Sequence, residues 1–154
     1  MSKLYLIPTP IGNLEDITLR ALRILKEVNI VLAEDTRTSR KLFSHYDIDT
    51  NLAPFHMHNE HKVLQKWIDR IKSGETIALV SDAGTPGISD PGAHIVHAVL
   101  EAGLQVIPVP GASAAIAALS CSGFISDDFY FVGFLPNKNK QRETELGKLI
   151  SIQA

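Results

Sequence analysis

The chain has 154 residues, 45% hydrophobic and 21% charged, with 15 basic against 17 acidic side chains for a formal charge of -2. That length suits one domain able to bury roughly two thirds of the surface its unfolded form exposes, and the composition excludes a disordered or fibrous chain. The near-neutral balance excludes a global pull toward nucleic acid, no apolar stretch approaches a membrane span, and a single cysteine, Cys121, excludes an intrachain disulfide.

In chain order, KLYLIP (3–8) reads as a first strand and is followed by the loop PTPIGN (8–13). DITLRALRILKEV then reads as a helix with Leu19, Leu22, Leu25 and Val28 along one side. NIVLA (29–33) is a second strand, and a helix is expected after Asp35. NLAPF (51–55) is a third strand, followed by EHKVLQKWIDRIKSG, which places Val63, Leu64, Trp67, Ile68 and Ile71 on one helical face and stops at Gly74. TIALVS (76–81) is a fourth strand, HIVHAVLEAG a helix running to Gly103, and LQVIPV (104–109) a fifth strand. All five strands are expected to be buried on both faces. Strands alternating with helices imply an α/β fold, a mostly parallel sheet with helices on both faces.

The C-terminal part has a different pattern. DDFYFVGFLP (127–136) predicts an aromatic strand, and NKNKQRETELGKLISIQA predicts a linker or the first helix of a second domain. The expected division is therefore a domain over 1–136 and a linker or domain start over 137–154. Cys121, among small neighbours, is expected to be an inert packing thiol. With no charged-then-apolar leader at the N-terminus, a cytoplasmic location is expected.

In such sheets ligands bind at the carboxyl ends of strands. Three loops stand there: PTPIGN, DAGTPGISDPG (82–92) and PGASAAIAAL (110–119), the last with Ser113 placed to cap a helix. Glycines in the second loop serve either close backbone packing or close approach of a ligand. Neither phosphate-binding glycine pattern is present. A ligand held by backbone groups and small side chains suits a nucleoside carrying an amino acid in place of phosphates, of which S-adenosylmethionine is one. Glu34, Asp35 and Arg37 gather after the second strand, either as a helix cap with a structural ion pair or as a substrate site. In HMHNEH, His56, His58 and His61 do not match a metal-ligand spacing, and no metal is expected. His58, Asn59 and Glu60 suit ribose binding or proton movement, with a helix cap at Asn59 as the plainer reading.

Taken together, LYLIPTPIGNLEDIT, AEDTR, HMHNE, ALVSDAGTPGISDPG, PVPGASAAIAAL and GFLPNKNKQR closely resemble the ribosomal RNA small-subunit methyltransferase I family, within the tetrapyrrole-methylase superfamily. The resemblance runs over residues 3 to 149. It implies the N-terminal domain of the class III methyltransferase fold and an enzyme that methylates the ribose 2'-oxygen of a cytidine in 16S ribosomal RNA, using S-adenosylmethionine bound between two domains of a homodimer. It places Pro10, Ile11, Gly84, Thr85, Gly87, Ile88, Ser113 and Ala114 at the cofactor. Asp35, Glu34 and His58 become candidates for the catalytic base, and Arg37, Asn59 and Glu60 for substrate binding.

The RNA partner, carried by the small ribosomal subunit, is expected to meet Arg37, Arg40, Lys41, Lys138, Lys140 and Arg142. DNA and membranes are not expected partners. The family continues into a second domain of comparable size, so the resemblance implies an incomplete form that folds, binds cofactor weakly and has little activity. The final SIQA is foreign to the family pattern. Two other readings stay open: a corrin or porphyrin substrate, against which PTPIG stands in place of the G-x-G-type first loop, and an inactive dimerising fragment.

Overall fold

The computed structural model describes residues 2–125 and 128–150, which divide into two compact units, Met1–Ala114 and Ala115–Ala154. The first unit holds a five-stranded, fully parallel sheet. Its strands are β1 (Lys3–Leu6), β2 (Ile30–Ala33), β3 (Leu52–Pro54), β4 (Thr76–Val80) and β5 (Gln105–Pro108), in the spatial order β3-β2-β4-β1-β5. Four helices join them: α1 (Leu19–Glu27), α2 (Thr36–His45), α3 (Glu60–Lys72) and α4 (Ala93–Glu101).

The central strands β2 and β4 show how sequence becomes layers. Successive side chains point to opposite faces of a strand, so Val31, Ala33, Ala78 and Val80 join one core while Ile30, Leu32, Ile77 and Leu79 join the other. α1 and α2 cover the first face with Ala21, Ile24, Leu25, Leu42 and Phe43. The opposite face is covered by Trp67, Ile68 and Ile71 of α3 and Ile95 and Val99 of α4. Each fully buried aliphatic side chain contributes about 1.5–3 kcal/mol, so the two layers together supply the driving force for folding.

The helix starts are chemically marked. Thr18 accepts a hydrogen bond from the Ala21 N–H, and Asp35 accepts one from the Arg37 N–H, which satisfies an otherwise orphaned donor at each end. At α3 the Asn59 side chain makes no such cap. It accepts from the His56 N–H at 2.8 Å and donates to the Pro54 carbonyl at 3.1 Å, which closes the turn after β3.

Several expectations are corrected. Leu19 is 86% exposed, and the buried face of α1 is Ala21, Ile24, Leu25 and Val28. Leu19 lies two residues before Ala21, about 200° around the helix, and so points away from the buried face. Burial on both faces holds for β2 and nearly all of β4, but β1, where Leu4 alone is buried, and the edge strands β3 and β5 are only partly covered. Each edge strand pairs with one neighbour among the described residues.

In the second unit, α5 (Ala114–Cys121) is followed by an irregular segment and α6 (Asn139–Leu149). The predicted aromatic strand is not formed over 128–136, where Phe129, Tyr130, Phe131, Val132 and Phe134 are exposed. A strand needs a neighbour to complete its hydrogen-bond ladder, and the described residues offer this segment none. Asp127, at its start, lies outside the described residues, as does SIQA (151–154). Cys121 is exposed, with its thiol directed to the Ala118 carbonyl at 3.4 Å, so it is not a packing thiol.

Candidate functional site

Loops leaving β1 and β2 turn toward the α1/α2 layer, and those leaving β3 and β4 toward the α3/α4 layer. That divergence opens a crevice at the carboxyl edge of the sheet. Three of the predicted loops meet there. Thr9 and Gly84 exchange backbone hydrogen bonds at 2.9 and 3.0 Å, an isolated antiparallel bridge between the loops after β1 and β4. The Thr9 hydroxyl donates to the Ser81 carbonyl and the Ser81 hydroxyl to the Gly84 carbonyl, both at 3.1 Å. Thr85 reaches the third loop, donating from its hydroxyl to the Ala112 carbonyl at 3.2 Å.

Glycines make these approaches possible. At Gly111 an added Cβ would lie 2.8 Å from the Pro8 Cβ, so the loop after β5 rests directly on the loop after β1. At Gly92, φ is 138° and an added Cβ would lie 2.7 Å from Leu79 Cδ2, with the Gly87 nitrogen at 3.3 Å. The loop over 82–92 therefore folds back onto itself and onto the core. Glycine serves close packing of protein on protein at both positions.

Beside this junction lies a cavity of about 230 Å³, bounded by Thr9, Pro10, Asn13, Ser39, Leu42 and Asp82 among others. Ser39 is 4% exposed and its hydroxyl has no hydrogen-bond partner. An unsatisfied buried hydroxyl is costly, so a wall of this cavity presents a polar group that a ligand could satisfy.

Carboxylates gather on the β2 and β4 side. The Asp35 N–H donates to Asp82 Oδ1 at 3.1 Å, which links the two strand ends. Glu34 has its pKa raised, mainly by burial and then by the charges of Asp90 and Asp82, against a lowering hydrogen bond from the Asp82 backbone. Asp90 is also raised, by burial and by Asp82, while a hydrogen bond with Ser81 opposes the shift. Asp35 behaves oppositely. Three hydrogen bonds from the Arg37 side chain, with the Arg37 backbone N–H, hold its carboxyl at about 2.

The predicted residues thus separate. Pro10, Ile11, Gly84 and Thr85 come together with the 110–113 loop that carries Ser113. The Gly84 α-carbon faces Ile11, to which an added Cβ would lie 3.6 Å away. Gly87 lies in the folded-back loop, Ile88 is exposed, and Ala114 begins α5. Arg37 forms the ion pair with Asp35 at 2.7 Å, on a side chain 86% exposed. His58 is exposed, with its ring edge-on to His56 at a centroid distance of 6.0 Å. Asn59 is engaged in its turn, and Glu60 is buried.

The sequence over residues 3–152 matches the family model described as Tetrapyrrole (Corrin/Porphyrin) Methylases. The chain belongs to the tetrapyrrole methylase family. It is 52% identical over 143 residues to the ribosomal RNA small subunit methyltransferase I of Halalkalibacterium halodurans, covering 93% of this chain and 50% of that protein. It is 54% identical to the protein of the same name from Pseudomonas aeruginosa, over 93% of this chain and 51% of that one. The chain spans about half the length of the curated relatives it matches. A uroporphyrin-III-C-methyltransferase from Thermus thermophilus superposes with a TM-score of 0.60 at 26% identity, over 80% of this chain and 54% of the other. A cobalt precorrin-4 methyltransferase, at 21% identity and a TM-score of 0.62, shares the fold.

In this tetrapyrrole methylase the sequence reading missed Ser39, Asp82 and Asp90. Asp82 and Asp90 sit inside the loop over 82–92, whose glycines and prolines are backbone signals. Ser39 carries no local signal. Its position one turn into α2 becomes informative only when the cavity is visible.

Proposed function

We propose that this chain is the N-terminal half of an S-adenosylmethionine-dependent methyltransferase that modifies the ribose 2'-oxygen of a cytidine in 16S ribosomal RNA, acting as a homodimer in the cytoplasm. Residues 1–136 form its N-terminal domain, and 137–154 a linker or the start of a second. The observation that carries the reading is the junction of three loops beside a cavity with an unsatisfied buried hydroxyl, in a chain whose relatives at 52–54% identity are named for small-subunit RNA methylation. The uroporphyrin enzyme is less similar at 26%, which favours RNA over a tetrapyrrole substrate.

The residues present suit the cofactor. The cavity of about 230 Å³ adjoins the loop junction through Thr9, Pro10 and Ser81 but is smaller than the roughly 300–1,000 Å³ of a full ligand pocket, so it would hold at most part of the cofactor. Neighbouring carboxylates Glu34, Asp82 and Asp90 favour a cationic ligand. Pro10, Ile11, Gly84, Thr85, Gly87, Ile88, Ser113 and Ala114 would hold the cofactor, which when bound supplies an electrophilic sulfonium methyl group.

The protein's own task is to position the attacking hydroxyl and take its proton. Glu34 is the best base of the three candidates, because burial and neighbouring negative charge raise its proton affinity. Asp35, held at about 2 by Arg37, is a weak base and instead orients that guanidinium toward RNA. His58, exposed after β3, would contact ribose. Arg40 and Lys41 on α2, with Lys138, Lys140 and Arg142 around the start of α6, are exposed and suit phosphate contacts.

A calorimetric titration of this chain with S-adenosylmethionine, beside a version extended to the relatives' length, tests the reading. Binding by the extended chain, with methylation of small-subunit RNA, is the expected result, and no binding by either chain would overturn it. In the extended enzyme, Glu34→Gln should lower turnover by about 10²-fold with little change in cofactor affinity. Unchanged turnover would remove Glu34 as the base.

A further inference from the structure

Away from the cavity, the starts of α3 and α4 bring three metal-binding side chains together. Glu60 is the first residue of α3, His61 follows it, and His94 is the second residue of α4. One donor atom from each lies within 4.8 Å of the other two. The His61 and His94 rings are 4.6 Å apart between centroids. Glu60 is 7% exposed, its Oε2 is buried without a hydrogen-bond partner, and its Oε1 lies 3.8 Å from His94 Nε2, beyond hydrogen-bonding distance. A buried carboxylate held this way is costly unless something positive satisfies it.

We infer that Glu60, His61 and His94 form a site for a divalent transition-metal ion, with zinc as the probe of choice. Two imidazole nitrogens and one carboxylate oxygen are a common zinc donor set, and they leave a fourth position for water. Tetrahedral coordination at about 2.0–2.2 Å places donors about 3.4 Å apart. The buried carboxylate is the fixed element, and the exposed imidazoles close onto it by side-chain rotation. The partial positive charge at the two helix starts opposes a cation and weakens binding. His61 and His94 are 33 residues apart and on different helices, so the pairing was hidden from sequence spacing, which instead grouped His56, His58 and His61. α4 starts directly after the 82–92 loop, so the ion would clamp the end of that loop to α3.

The test is a calorimetric titration of the chelator-treated chain with zinc chloride, with thermal melting in parallel. The expected result is one saturable site and a melting temperature that rises with zinc and falls back on chelation. His61→Ala and His94→Ala, both at exposed side chains, should each weaken binding at least about tenfold. His97→Ala, on α4 but outside the cluster, should bind as the parent does. No saturable binding below about 100 µM, or equal binding by the His61→Ala and His94→Ala variants, would overturn the proposal. Glu60→Gln should also lose zinc. Should that variant fail to fold, the two histidine variants decide alone.

Discussion

Two neighbouring parts of the carboxyl edge are built on different physics. Where the loops after β1, β4 and β5 meet, the contacts are backbone hydrogen bonds and hydroxyl-to-carbonyl bonds, and close packing depends on missing side chains, as at Gly92 and Gly111. Where β2 and β4 end, the contacts are between carboxylates and their neighbours, and depend on charge. The first part answers to volume and the second to pH. A binding edge can therefore keep a rigid frame while its charged lining titrates.

The sharpest way to break this comparison is to add a single methyl group. Gly92→Ala combines a backbone φ that L-residues rarely adopt with overlap on buried Leu79, and should cost about 2–4 kcal/mol of unfolding free energy. Gly111→Ala has only the overlap with the Pro8 ring, and should cost about 1–3 kcal/mol. Denaturant melts of both variants rank them, and a parent-like midpoint for Gly92→Ala would mean that the loop does not pack as described.

Charge effects are smaller and change sign with residue. Glu34 is raised in the folded state, so its contribution to stability is present below its ordinary pKa of 4.5 and is lost as pH rises through the higher folded value. Glu34→Gln should accordingly raise the melting temperature at pH 7 and leave it nearly unchanged at pH 4. Asp35, lowered from 3.8 to about 2, contributes above 3.8 and loses that contribution as pH falls toward 2. Asp35→Asn should therefore lower the melting temperature slightly at pH 7, and the difference should fade as pH falls through about 2. Parallel melting curves for the two variants across pH would erase the distinction between these adjacent carboxylates.

The smallest expected effect is at the cavity wall. Ser39→Ala removes a buried hydroxyl that has no partner, so the free protein should be unchanged or up to about 1 kcal/mol more stable. If a ligand uses that hydroxyl, the same variant should bind it more weakly. Melting without ligand, compared with titration of the extended enzyme, separates the two effects.

The chain's alternation of apolar runs and amphipathic helices determined the class of fold and most element positions, because buried strands and helices repeat with periods of 2 and 3.6 residues that a sequence displays directly. It also marked the three loops and the Glu34-Asp35-Arg37 group, since glycine, proline and charge at strand ends are local signals. It could not show which strands lie side by side. The order β3-β2-β4-β1-β5 places Asp82 against Asp35 across 47 residues, and Thr85 against Ala112 across 27. For the same reason the aromatic run after Asp127 read as a strand from composition alone, although a strand exists only where a neighbour pairs with it. The raised proton affinity of Glu34, the unsatisfied Ser39 hydroxyl and the Glu60-His61-His94 cluster arise from contacts between distant segments, whereas Asp35 is lowered by its near neighbour Arg37. Burial and charge proximity are properties of three-dimensional neighbours, and only the tertiary structure decides who those are.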